Sequence, residues 1–168
     1  MSTSSAYLSA DRVYRYLLIR TWNNPGTNNG FAMLIGLNPS TADETQNDPT
    51  IRRDIGLLKA LNYSGLIKVN LYGYRATKPA EMLAARNPVG ADNDRLIESM
   101  LPLVNRVYAV WGRVDDLRTR QRAHTIHGLI VRSKKAVWCF RETKDGHPSH
   151  TLYLPQTVVN QTREWIPR

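Results

Sequence analysis

The sequence predicts an α/β fold: a three-layer αβα sandwich with a mostly parallel central sheet, plus an N-terminal antiparallel edge strand, in one domain over residues 1–168. Three observations predict it. Short apolar runs bounded by turn formers alternate with segments of helical period. Residues 31–37 (FAMLIGL) are apolar throughout, as in a strand buried on both faces. A chain of 168 residues with 42% hydrophobic content buries one such core without disulfide staples.

The elements follow in order. Residues 1–10 begin MSTSS and read as a flexible tail. Residues 14–22 (YRYLLIRTW) read as a strand toward the sheet edge. Residues 23–30 (NNPGTNNG) are dense in turn formers, so this strand and 31–37 are expected to form an antiparallel hairpin. Asp48-Pro49-Thr50 is a helix start, a capping Asp followed by Pro in the first turn. Ile51, Ile55, Leu58 and Leu61 then recur at helical spacing. Strands are expected at 65–71, 106–111 and 134–140. Helices are expected at 92–103, at 117–132 and finally at 157–165. RNPVG at 86–90 is a surface connection.

Charge narrows the partners. Lys and Arg number 23 against 14 acidic residues, a net charge of +9. Such an excess suits a polyanion, because each neutralised phosphate releases a counterion. The basic segments RTRQR (118–122) and RSKK (132–135) read as solvated faces that add non-specific DNA affinity. Cys139 is the single cysteine, set in the apolar run AVWCF, and reads as a buried core thiol. No stretch has the length of a membrane helix and the N-terminus lacks a secretion signal, so a cytoplasmic protein of a bacterium or infected cell is expected.

Ligands of open α/β sheets bind outside the carboxyl ends of the strands. Four polar signals stand there: GLNPST (36–41), VNL with RAT (69–71, 75–77), WG (111–112) and GHPSH (146–150). No glycine fingerprint for a dinucleotide and no phosphate loop accompanies them, and no zinc-ligand spacing surrounds His147 and His150. No cofactor and no metal are therefore expected. Each signal alone has a plainer reading as a turn or core residue; their joint placement points to one site.

These motifs, in this order, resemble those of the uracil-DNA glycosylase superfamily: GQDP or GINP after the first strand, Asn in the second, WG after the third, HPS after the fourth. A closer resemblance is to a little-characterised family of bacterial and phage proteins with the hallmark LNPSTA, then DPT and NL-x-x-x-RAT; here these are residues 37–42, 48–50 and 70–77.

The resemblance implies a DNA glycosylase that holds a flipped, damaged, mismatched or 5-modified pyrimidine and hydrolyses its N-glycosidic bond. It implies that Asn38 positions the attacking water and that His147 donates to a carbonyl oxygen of the leaving base. Asn70 would read the base edge, beside Pro39 and Ser40. Thr41, Ser149, Arg52 and Arg75 would hold DNA phosphates, and Leu152 or Tyr153 would be the wedge. Asn38 stands where the fastest relatives have Asp, and an amide orients water without taking its proton. Ser40 stands where others have Tyr, which leaves room for a group at carbon 5. Asp48, Arg52, Arg53 and Arg75 bind a phosphate or brace their loop. Two other readings remain open: a non-catalytic DNA or modified-base binding module, and an enzyme acting on free nucleosides or nucleotides.

Overall fold

A computed structural model describes residues 3–23 and 29–167. Its strands are β1 (Ser4–Leu8), β2 (Arg15–Thr21), β3 (Phe31–Gly36), β4 (Gly65–Asn70), β5 (Arg106–Ala109), β6 (Val137–Cys139) and β7 (Arg163–Glu164). Its α-helices are α1 (Pro49–Ala60), α2 (Pro79–Ala84), α3 (Asn93–Met100) and α4 (Leu117–Arg132). The strands form one sheet in the order β1-β2-β4-β3-β5-β6-β7. β4, β3, β5 and β6 are parallel; β1 and β2 close one side antiparallel, and β7 closes the other.

Side chains alternate across this sheet, as the pleat requires. Ala32, Leu34, Leu66, Tyr108 and Val110 pack with Ile51, Leu57 and Leu58 of α1. Met33, Ile35, Ile67, Val69, Val107 and Ala109 pack with Met82 of α2, Ile97 of α3, and Ile126 and Ile130 of α4. Helices thus cover both faces, which makes three layers. The central strand β3 is buried along nearly its whole length, in keeping with its unbroken apolar run. Cys139 is buried, and burial pushes its thiol up to about 11.

Three expectations are corrected. β2 does not pair with β3: it lies antiparallel to β4, with Leu18 opposite Lys68. Both flanks of β3 are taken by the parallel neighbours β4 and β5, and α1 supplies the long crossover that β3 and β4 need. The expected turn at 23–30 lies partly outside the described residues. Next, the edge strand is β1, within the stretch read as a tail; Ser4 pairs with Arg20, and Leu8 with Arg15. Last, residues 157–165 are not an α-helix. A 3-10 turn (Gln156–Gln161) leads into β7. The pair Val158-Val159 and Thr157 are β-branched and weak helix formers. The expected helix at 92–103 is α3 followed by a 3-10 turn (Leu101–Leu103). No helix among the described residues is long and apolar enough to cross a membrane.

Candidate functional site

The cleft lies at the carboxyl ends of the parallel strands. It has a volume of about 440 Å3, and its lining includes Gly36, Asn38 and Ser40 after β3, Lys68 and Asn70 of β4, and Trp111-Gly112 after β5. Gly36 and Asn70 are register partners at adjacent strand ends. A Cβ on Gly36 would fall 2.7 Å from Asn70 Oδ1 and 3.3 Å from Lys68 Nζ, so only glycine lets these side chains reach the floor. Gly112 has φ +83° and allows the segment carrying His150 to approach.

The two carboxamides are held differently. Asn38 Nδ2 donates to the carbonyls of Pro39 (3.0 Å) and Ala76 (2.8 Å). With both donors committed, its Oδ1 is the end available to a ligand or water. Asn70 is 1% exposed, and its Nδ2 has no hydrogen-bond partner among the described residues. A buried donor left unpaired is costly, so this one calls for an acceptor that enters the cleft. Asn70 is fixed from behind, because Asn93 Nδ2 donates to its backbone carbonyl at 3.1 Å.

Charge sits beneath the floor. Lys68 Nζ is 2.8 Å from Asp54 Oδ2, and both side chains are almost wholly buried. Thr151 Oγ1 donates to the other oxygen of Asp54 at 2.6 Å. One network thus joins β4, α1 and the turn after His150. Arg15 also lines the cleft; its Nη1 donates to the Ala42 carbonyl at 2.8 Å, and its Nε is unpartnered among the described residues. Burial pulls its guanidinium down to about 10, still protonated at neutral pH. Asp48 caps α1 through Oδ1, which accepts from Ile51 N at 2.8 Å, and lines the cleft as well.

The expected imidazole is displaced by one turn. His147 does not line this cleft; His150 does. Thr143 N donates to the His147 carbonyl (2.7 Å) and His147 N to Thr143 Oγ1 (3.1 Å), closing residues 143–147 on themselves. His147 instead lines a neighbouring cavity of about 360 Å3 that also includes His124, Trp165 and Pro167, and that shares Trp111 and Arg113 with the cleft. At His150, Nδ1 accepts from Leu152 N at 3.2 Å, which leaves the ring proton on Nε2. Burial, and then the nearby Lys68 charge, hold its pKa below the usual histidine value.

The remaining candidates divide. Ser40, Leu152 and Tyr153 line the cleft, with Tyr153 84% exposed, while Pro39 is buried behind it. Thr41 and Arg75 line a shallower groove that shares Ser40, Ala76 and Thr77 with the cleft. The Arg75 guanidinium reaches the carbonyls of Ser40, Arg12 and Thr41 rather than Asp48. Ser149 is tied through its N–H to the Arg141 carbonyl (2.8 Å) and lies outside both linings. Arg52 donates to the Asn47 carbonyl and Arg53 to Gln156 and the Leu154 carbonyl, so both brace their surroundings. In the segment expected to be a solvated face, Arg122 is partly buried and binds Asp94 and the Leu71 carbonyl. Among the described residues no group of His, Cys, Asp and Glu is placed to hold a metal ion.

Sequence reasoning passed over Lys68, Asp54, Arg15 and His150 as site residues. Lys68 had a visible signal, since a lone cation inside an apolar strand requires a buried partner. A family model described as a protein of unknown function (DUF1643) matches residues 15–152. No curated protein and no solved structure matches the chain.

Proposed function

We propose that this chain, which belongs to the DUF1643 family, is a DNA glycosylase-like protein that takes one flipped-out pyrimidine into the cleft and hydrolyses its N-glycosidic bond. The reading takes the α/β sheet to be of the uracil-DNA glycosylase type. The observation that carries it is the convergence of Asn38, Asn70 and His150 on one cleft at the carboxyl ends of parallel strands.

Each group has a task that suits its setting. The unpartnered Nδ2 of Asn70 donates to a keto oxygen of the base. The Nε2–H of a neutral His150 donates to a carbonyl oxygen where negative charge develops as the base departs. Asn38 Oδ1, turned out by the double anchoring of its Nδ2, orients a water. Ser40 leaves room for a substituent at carbon 5. Leu152 and Tyr153, at the mouth, fill the gap in the base stack, and Thr41 with Arg75 in the adjoining groove holds phosphate.

The test is base release from duplexes carrying uracil, thymine opposite guanine, or 5-hydroxymethyluracil. Release is expected from the wild type and is expected to vanish in Asn38→Ala and His150→Ala while persisting in His147→Ala. Duplex binding without any release defeats the enzyme reading. It supports a base-binding module instead, a reading favoured by the amide of Asn38 where an acid would activate water.

A further inference from the structure

Hydrolysis by this site is faster with a group that takes a proton from the attacking water, and we infer that this group is Asp48. The inference rests on the glycosylase reading. Asn38 orients water but accepts no proton. The ionisable side chains lining the cleft are Arg15, Asp48, Lys68, Arg113, His150 and Tyr153, and Asp48 is the one carboxylate. Asp54 is wholly buried behind the floor with one oxygen on Lys68 and the other on Thr151. The accepting nitrogen of His150 is occupied by Leu152 N–H.

Asp48 is differently placed. Only Oδ1 caps α1, and no described residue donates to its second oxygen. No ion pair within 4.0 Å engages it among the described residues. The cap alone would be a structural feature. The independent sign of a ligand in the same cleft is Asn70, 1% exposed with an unpartnered donor.

The bond between sugar carbon 1′ and the base nitrogen breaks, and its electron pair leaves with the base. The water oxygen bonds to carbon 1′. The water's proton passes to the free oxygen of Asp48 and then to solvent, from which the departed base takes one back. The products are the free base and an abasic sugar.

Asp48→Asn separates the roles, because Asn caps a helix as well as Asp but takes no proton. Single-turnover base release is measured on whichever of the uracil, thymine–guanine mismatch and 5-hydroxymethyluracil duplexes the wild type cleaves. The expected result is release slowed at least a hundredfold, with duplex affinity within about twofold and an unchanged melting temperature. Asp48→Ser, a second good cap, is expected to show the same loss and guards against a folding defect peculiar to one variant. Release within about threefold of wild type in either variant overturns the assignment and leaves the glycosylase reading standing. A wild type that releases no base from any of the three duplexes overturns both.

Discussion

Lys68 shows how a single side chain is committed on both sides. It stands in a strand buried at every position, between Ile67 and Val69, and its ammonium is held by Asp54 from α1. Removing one member of a buried ion pair strands the other. Lys68→Met is therefore expected to cost about 3–5 kcal/mol, read as a lowered denaturation midpoint. Lys68→Met combined with Asp54→Leu is expected to recover much of that loss; no recovery would show that the pair is not coupled. At His150 the consequence is a pH dependence. Its folded-state pKa is depressed, so the unfolded chain binds the extra proton first as pH falls. Stability is expected to be full above about pH 6.5, the unperturbed histidine value, and to decline below it until the folded-state value is passed. Denaturant midpoints at pH 7.5 and 5.5 measure the slope. His150→Asn should flatten it in part, with His127, also pulled down by burial, supplying the rest. Asn38 and Asn70 were legible because polar residues end apolar strands. The choice between His147 and His150 was not, because it depends on a turn closed by Thr143 on its own neighbours.

α1 was legible as an element because its start is written locally. Asp48 and Pro49 form the cap and first turn, and the structure shows the Asp48 Oδ1 to Ile51 N bond at 2.8 Å. Asp48→Ala is expected to lower stability by about 1 kcal/mol, whereas Asp48→Asn leaves it nearly unchanged, as thermal melting of the two variants will show. Strand partners were a different matter. Periodicity reveals that 14–22 and 31–37 are extended, but which edges meet depends on the crossover through α1 and on β5 taking the other side of β3. The helix expected at 157–165 is a second difference. There Val158 is buried from a 3-10 turn rather than an α-helix, and β7 gains its hydrogen bonds from β6.

For the molecule as a whole, the excess of basic residues was plain from composition, but its use was not. Arg122, Arg53 and Lys135 turn inward to carboxylates, amides or carbonyls, so they are poor candidates for binding a polyanion. Arg75 makes long contacts to carbonyls in an open groove beside the cleft. Duplex affinity is expected to fall steeply as salt rises, with a linear log–log slope. Arg75→Ala should reduce that slope by about one, the mark of a single phosphate contact. Arg122→Ala should instead lower stability and leave the slope unchanged. An identical slope in wild type and Arg75→Ala would remove Arg75 from the contact surface.

The direction of β1 has a practical corollary. Ser4 lies opposite Arg20, which in turn lies opposite Leu66, so β1 starts beside the amino ends of the parallel strands, away from the rim that carries the cleft. Trp165 and Pro167, by contrast, wall the cavity next door to that rim. An affinity tag or surface linker joined to the chain ahead of β1 therefore leaves the cleft turned toward solution.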